Sequence, residues 1–173
     1  MTFTATAGVS TPTSDGSGYG PAGGKVFYDK GDYAGGWRYL EAAPKDQATS
    51  EWSNITTTVL KDAARGYAIG TGHANTIAIV GQAGCTLGAA KTCDSLSLGG
   101  YDDWFLPSED ELDAMYGDGG SMKVAIGGFS TAFYWSSSEV YNTQALCKRF
   151  NDGYKYYYDK TSYRFRVRAV RAF

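Results

Sequence analysis

Short runs of alternating hydrophobic and polar residues mark the two ends of the chain's apolar region. Residues 25–28 and 37–42 are aromatic-rich runs separated by a loop of Gly and Asp, a pattern typical of two strands in a hairpin. Residues 164–171 alternate with a period of two, which predicts a closing strand with its arginines outward. The residues predicted to face inward from that strand are Phe165, Val167 and Ala169.

A second hairpin is predicted near the C-terminus, after a core strand at residues 131–137. Residues 151–153, Asn-Asp-Gly, have typical turn chemistry and separate strand-like runs at residues 145–150 and 154–159. Successive strand residues point to opposite faces of a sheet. One face is therefore predicted to carry Tyr154, Tyr156 and Tyr158, and the other Lys155, Tyr157 and Asp159.

Helical patterns occupy the middle of the chain. The apolar runs at residues 76–80 and 87–96 are both predicted to be helical, the second because its apolar residues have helical spacing. Ser108 forms an S-x-x-E capping box with Glu111, and Gly117 supplies the stop of that helix. Acidic residues in a first turn suit the helix dipole, so helix initiation explains this group better than paired-carboxylate catalysis does. The carboxylates concerned are Glu109, Asp110, Glu111 and Asp113.

These elements predict an α+β fold with mixed twisted sheets, about two helices and many loops. The 23 glycines and the 15% aromatic content favour the same class. Residues 1–21 have little apolar surface and are predicted to be a flexible segment, whereas residues 22–173 are long enough for one domain with its own core.

Charge is uneven along the chain. The net charge is −2, yet residues 134–173 carry eight Lys or Arg against three Asp or Glu. A basic end is typical of nucleic-acid binding. On an alternating strand, however, partial burial against Tyr or Asp partners is the simpler explanation of arginines, and the whole chain is acidic. No nucleic-acid partner is therefore predicted.

Candidate metal, redox and membrane features are weak. Asp29 and Asp32 lie in a loop with too few carboxylates for calcium, so no metal or cofactor is predicted. Cys85 and Cys93 either close a short loop in an oxidising compartment or remain buried thiols. No run approaches the length of a membrane span, and the first residues lack a signal-peptide pattern. The localisation stays unknown, with the cell surface or a virion as the expected sites of display.

Catalytic constellations are not evident either. His73, the sole histidine, lies in a Gly-His-Ala-Asn stretch and is interpreted as a loop or capping residue. No set of nucleophile, base and orienting group is recognisable from the sequence. The chain is therefore not predicted to be an enzyme.

Five segments together resemble a known family. They are residues 23–29, 37–44, 100–112, 134–139 and 166–173, with Trp-Phe-Leu-Pro-Ser and Tyr-Trp-Ser-Ser-Ser-Glu as the most specific pair. The sequence resembles C-type-lectin-like domains related to the formylglycine-generating-enzyme fold, and among them the variable proteins of diversity-generating retroelements. The resemblance covers roughly residues 22–173 and implies a C-type-lectin-like fold with a variable region at about 134–173.

The resemblance also implies which residues vary. In that family, template copying introduces errors at adenines, so an Asn codon changes to Tyr, Ser, Asp, Arg, Cys, Val or Thr but never to Lys, Gln, Glu, Met or Trp. Glu139, Gln144, Lys148, Lys155 and Lys160 fall outside this set and are predicted to be fixed. Thr143, Asp152, Asp159, Thr161 and Tyr163 also fit the reachable set, with less support from position. The predicted variable, ligand-binding residues are Val140, Tyr141, Asn142, Cys147, Arg149, Asn151, Tyr154, Tyr156, Tyr157, Tyr158 and Ser162.

Side-chain chemistry favours the same function. Tyr, Ser and Asn dominate antibody paratopes, because Tyr gives a large contact area for little conformational entropy. The predicted function is recognition of an unidentified protein or glycan ligand, with multivalent display as a further option. The alternatives are a Tyr-rich core hairpin in a static structural or adhesion domain and, less favoured, a formylglycine-generating-type enzyme. Such enzymes use paired cysteines, whereas Cys147 stands alone in this region.

Overall fold

Two sheets and four α-helices form the described part of the chain. The computed structural model describes residues 18–56, 60 and 65–173. The strands are β1 (Lys25–Asp29), β2 (Tyr39–Ala42), β3 (Ala48–Ser50), β4 (Phe133–Tyr141), β5 (Gln144–Arg149), β6 (Lys155–Asp159), β7 (Phe165–Val167) and β8 (Val170–Ala172). The helices are α1 (Gly72–Val80), α2 (Ala89–Asp94), α3 (Glu109–Tyr116) and α4 (Ser121–Ile126). Most of the segment predicted to be flexible, up to residue 17, lies outside the described residues.

The eight strands form two sheets, and one of them pairs strands from both ends of the domain. A three-stranded sheet has the order β1-β2-β8, so the last strand pairs with the N-terminal hairpin. A five-stranded sheet has the order β3-β7-β4-β5-β6, in which β4 and β7 are parallel and the other neighbours antiparallel. The α+β fold class is confirmed, and the arrangement is consistent with a lectin-like fold.

The core lies on both sides of the five-stranded sheet. Tyr134 and Trp135 are consecutive residues of β4, both fully buried, and they belong to different hydrophobic clusters. Trp135 packs in the cluster that contains Trp52 and Trp104, and Tyr134 in the cluster that contains Phe150. Because neighbouring strand residues point to opposite faces, the sheet lies between these two clusters.

The predicted closing strand is two strands. Residues 164–171 divide into β7 and β8, which belong to different sheets. The expectation that all the arginines point outward is wrong at two positions. Arg171 is 6% exposed and pairs with the buried Glu41 carboxylate at 3.1 Å. Arg168 is fully buried between the two strands. Its guanidinium contacts the Asp46 carboxylate at 2.8 Å and donates to the carbonyl oxygens of Ala43 and Gly128. These partners satisfy a cation that the alternating pattern assigned to solvent.

Helix prediction succeeded where local chemistry was specific. The Ser108–Glu111 capping box is present, and α3 ends before Gly117, as predicted. The predicted region 76–80 is the C-terminal part of α1, which begins four residues earlier, and the region 87–96 contains α2. Helix α4 was not predicted, and it has no buried residue that an apolar periodicity would reveal. His73 lies in the first turn of α1 rather than in a loop, with its ring 5.5 Å from that of Phe105.

The loop and cysteine alternatives are resolved in the structure. Asp29 pairs with Arg38 at 2.7 Å, and Asp32 accepts a hydrogen bond from the Ala34 N–H, so both carboxylates have partners within the hairpin loop. The cysteines are free thiols, and Cys85 and Cys93 are not bridged. Within the described ranges, no helix has the length and apolarity needed to cross a membrane.

Glu111 gives the fold a predicted pH dependence. Burial raises the pKa of Glu111 to about 7 from 4.5, although the N–H groups of Gly70 and Ser108 donate to its carboxylate. The folded state therefore holds a proton that the unfolded chain releases above pH 4.5. This contribution to stability is complete below pH 4.5 and is lost as the pH rises through about 7.

We expect the free energy of unfolding to fall by up to about 3 kcal/mol between pH 4.5 and 8 relative to the Glu111→Gln variant. Urea titrations of both proteins across this range measure the difference, in which the titrations of other groups cancel. Parallel pH profiles for the two proteins would contradict the assignment.

Candidate functional site

The β5–β6 hairpin carries most of the predicted site residues and forms one edge of the five-stranded sheet. Its turn closes through two hydrogen bonds, from the Arg149 N–H to the Tyr154 carbonyl at 2.8 Å and from the Gly153 N–H to the Arg149 carbonyl at 2.9 Å. Gly153 has a φ of +79°, which glycine adopts without strain. The Asn-Asp-Gly segment therefore forms the predicted turn.

One side of β6 and of the residues flanking it carries a row of tyrosines, which we call the aromatic face: Tyr154, Tyr156, Tyr158 and Tyr163. Successive ring centroids along this row are 6.0, 6.1 and 4.6 Å apart. Tyr156 and Tyr158 are half-buried, and both pack edge-on against Phe133. Tyr154, by contrast, is 63% exposed. The row therefore combines half-buried rings that pack on the core with an exposed ring at Tyr154.

The opposite face of the hairpin is attached to helix α3 by ion pairs. Lys155 contacts the carboxylates of both Glu109 and Asp113. Lys148, its cross-strand neighbour on β5, lies 2.8 Å from the other oxygen of Asp113. Tyr157 shares this face but is 56% exposed, with its ring 6.4 Å from that of Tyr141. The predicted division of β6 into two faces agrees with these contacts.

A buried ion pair fixes the far end of the hairpin. Lys160 and Glu139 contact each other, and both side chains are fully buried. The Lys160 ammonium lies 4.6 Å from the centre of the Trp52 ring, and the second Glu139 oxygen accepts from the Leu60 N–H at 2.7 Å. Burial lowers the pKa of Lys160, an effect that its hydrogen bond to Glu139 opposes.

The predicted variable residues fall into three groups by exposure. Val140, Arg149, Tyr156 and Tyr158 are half-buried. The exposed group contains Tyr141, Asn142, Asn151, Tyr154, Tyr157 and Ser162. Cys147 alone is buried. The exposed positions lie at the β4–β5 turn, along the hairpin and in the loop after β6, so the fold places them along the edge of the five-stranded sheet that β6 forms.

Cys147 is a correction to the predicted ligand-binding set. Its side chain is 2% exposed and belongs to the hydrophobic cluster of Trp135, its neighbour on β4. Burial raises the pKa of the thiol. The assignment of this residue to the binding surface followed a codon rule, which contains no information on burial. Cys147 is therefore a core residue.

The residues predicted to be fixed all have partners in the protein. Glu139 and Lys160 pair with each other, and Lys148 and Lys155 pair with α3. The Gln144 side chain donates to the Asp159 carboxylate at 3.3 Å. Every residue of the hairpin region that adenine mutagenesis of an Asn codon does not produce therefore has a contact that supports the hairpin.

Two further tyrosines border this surface. Tyr163, which is 43% exposed, completes the aromatic face. Tyr67 is 40% exposed and donates from its hydroxyl to the Glu139 carbonyl at 3.2 Å. Sequence reasoning missed Tyr67, because no pattern links a residue before α1 to a strand more than 60 positions later. A polar cavity of about 270 Å³ lies nearby, lined by Thr56, Thr143, Asp159, Thr161 and Ser162.

The acidic group at the start of α3 has the spacing of possible metal ligands. One oxygen from each of Glu109, Asp110 and Asp113 lies within 4.8 Å of the others. Lys155 contacts two of these carboxylates, however, and an ammonium in that position neutralises the charge that would attract a cation. The arrangement serves as an ion-pair anchor for β6.

The mixed α+β fold is consistent with a lectin-like domain. The family model described as the Lcl C-terminal domain matches residues 73–171, which is more than half of the chain. The chain belongs to this family, the C-type-lectin-like variable protein domain of diversity-generating retroelements, as the resemblance predicted. It is a lectin-like variable-protein family and not a known enzyme family. A search of curated proteins finds no match.

Proposed function

We propose that this protein recognises a ligand through the edge surface formed by the β4–β5 turn, the β5–β6 hairpin and the loop after β6. The exposed residues of this surface are the positions that retroelement mutagenesis diversifies in this proposal. The observation that carries it is the division of the hairpin: reachable residue types are mostly exposed, whereas unreachable types pair with the scaffold.

This division matters because the side chains of a diversified surface must vary without unfolding the hairpin that carries them. Substitutions at exposed positions change stability little. Breaking a buried ion pair, in contrast, leaves an uncompensated charge in the interior. A mutagenic rule that spares Lys and Glu therefore spares the contacts of Lys148, Lys155 and Lys160, and changes the side chains between them.

The exposed chemistry favours binding of a macromolecule over binding of a small molecule. Tyr141, Tyr154 and Tyr157 are each more than half exposed, and Asn142 and Asn151 lie at the two turns. Tyrosine anchors with adaptable polar neighbours are typical of paratopes. A protein or glycan ligand is proposed, bound without catalysis and without a cofactor. Multivalent display would raise the strength of binding without any new contact.

The formylglycine-generating type of catalysis is disfavoured by the state of the cysteine. A nucleophilic or metal-binding cysteine needs an accessible thiol with a low pKa. Cys147 is buried and its pKa is raised by burial, and the structure pairs it with no second cysteine. The other candidate function is a static adhesion domain, in which the same surface binds one ligand and does not vary.

The DNA next to this gene distinguishes these two functions. We expect a near-copy of the codons for residues 134–173 beside a reverse-transcriptase gene, with differences almost only at adenines of the copy. The differing codons should include those of Tyr141, Tyr154 and Tyr157, and should exclude those of Lys155 and Lys160. Sequencing of the locus tests this. The absence of a copy, or differences spread over all four bases, favours the static domain.

A further inference from the structure

The outer side of β6 has unpaired backbone groups. The Arg149 N–H donates to the Tyr154 carbonyl, and the Lys160 N–H donates to the Thr143 carbonyl. The register between β5 and β6 has no shift, and hydrogen-bonded residues alternate along an antiparallel ladder. The backbone N–H and C=O groups of the even-numbered residues of β6 therefore point toward β5. The residues whose N–H and C=O groups point outward are Lys155, Tyr157 and Asp159, and no described residue hydrogen bonds to these groups.

The other sheet edges in the described part of the chain are short or covered. β3 has only three residues. Tyr19 forms a bridge to Lys25 beside β1, whose pairing with β2 is also interrupted by a register shift. Phe105 forms a bridge to Val170 of β8. Native proteins protect their edge strands with such devices. The five-residue β6 has no proline, no register shift and no covering segment among the described residues.

The two sides of this open edge differ in chemistry. On the α3 side, the two ammonium groups of Lys148 and Lys155 face an excess of carboxylates. These carboxylates are Glu109, Asp110, Asp113 and, by strand alternation, Asp159. On the other side lies the aromatic face. A strand added to β6 would place alternate side chains against an acidic surface and against tyrosine rings.

We propose that β6 binds an extended segment of a protein ligand as an additional antiparallel or parallel strand. The segment carries Lys or Arg side chains toward α3 and hydrophobic or aromatic side chains toward the aromatic face. This inference rests on the proposed function, because it identifies the class of ligand that the same edge surface recognises. Strand addition gives affinity through main-chain hydrogen bonds and specificity through alternate side chains.

A polypeptide matches this edge better than a glycan does. The outward groups of Lys155, Tyr157 and Asp159 alternate donors and acceptors at the spacing of a strand, which an extended peptide complements. The α3 side has two more carboxylates than lysines. Basic side chains of a bound peptide would balance this excess negative charge. The backbone of β6 is also unchanged by mutagenesis, so diversified side chains would select among peptides that share one mode of attachment.

Tyr157→Pro tests the edge directly. Its N–H points away from β5, so proline removes an outward donor without removing a hydrogen bond of the sheet. Tyr157→Thr is the matched control, because it removes the same side chain and keeps the N–H. The probe is a synthetic peptide selected from a random dodecapeptide display library against the wild-type domain, with its affinity measured by calorimetry.

We expect selected peptides with alternating basic and apolar residues, which lose at least about tenfold in affinity for Tyr157→Pro beyond any loss for Tyr157→Thr. In the wild-type protein, peptide binding should slow the hydrogen exchange of the Lys155, Tyr157 and Asp159 amides, a measurement that needs no variant. Equal affinities of the two variants, unprotected amides, or a library that yields no binder overturns the proposal.

Two other results are distinguishable from these. A concentration-dependent dimer that Tyr157→Pro abolishes, measured by analytical ultracentrifugation, means that a second copy of the chain occupies the edge, and it overturns the peptide assignment. Loss of peptide binding in a Tyr154→Ser variant with no difference between Tyr157→Pro and Tyr157→Thr leaves the proposed function standing and removes only the strand addition.

Discussion

Replacing Lys160 by Met, with Glu139 left in place, is expected to lower the free energy of unfolding by about 3–5 kcal/mol. Both side chains are fully buried, so the variant leaves a carboxylate without its counter-ion in the interior. The Leu60 N–H is then the one remaining hydrogen-bond donor to the Glu139 carboxylate among the described residues. Chemical denaturation followed by tryptophan fluorescence measures the change, since Trp52 lies beside the ammonium.

Two further variants separate this effect from a general sensitivity of the hairpin. Lys160→Met combined with Glu139→Gln removes both charges and should recover much of the lost stability, because neutral groups cost less to bury. Lys155→Met breaks a partly exposed pair and should cost about 1 kcal/mol or less. If Lys160→Met and Lys155→Met were equally mild, the buried pair would not be the anchor of this end.

The sequence was most informative where a structure depends on neighbouring residues. The capping box needs Ser108 and Glu111 three positions apart, and the hairpin turn needs the glycine at 153, so both were predictable. The alternating faces of β6 followed from the period of a strand alone. In each case the interacting groups are separated by one turn or one strand, and tertiary contacts do not override them.

Long-range contacts account for the predictions that were wrong. Arg168 is buried because Asp46, 122 residues earlier, and the carbonyl of Gly128 surround its guanidinium. Arg168 also lies between β7 and β8, at the point where the predicted closing strand passes from one sheet to the other. The period of the sequence continues across this point, and no residue signals the change. Cys147 differs in kind, since a codon rule proposes which residues vary but gives no information on which side chains are buried.

The structure also changes what the tyrosine-rich stretch means. A paratope and a core hairpin were alternatives for the whole stretch, yet within four residues of β6 the contacts differ. Tyr156 and Tyr158 pack on Phe133 and are half-buried, whereas Tyr157 is mostly exposed. The two alternatives therefore apply to different residues of one strand. Variation at the half-buried positions would therefore change the packing of the hairpin on Phe133 as well as the chemistry of the exposed surface.

This difference predicts opposite outcomes for two matched double variants. Tyr156→Ser with Tyr158→Ser should lower the free energy of unfolding by about 4 kcal/mol, roughly half the cost of removing two fully buried aromatic rings. Tyr154→Ser with Tyr157→Ser removes the same atoms from exposed positions and should cost about 1 kcal/mol or less. Urea denaturation of the two proteins under identical conditions measures both values.

The same pair of variants separates support from recognition. Loss of the Phe133 contacts should weaken ligand binding in the Tyr156/Tyr158 variant together with its stability, with faster hydrogen exchange of the β6 amides. The Tyr154/Tyr157 variant should lose ligand binding while it keeps the exchange pattern of the wild-type protein. Equal destabilisation in both variants would mean that all four rings belong to the core, and the exposed surface would then be confined to the turns and to the loop after β6.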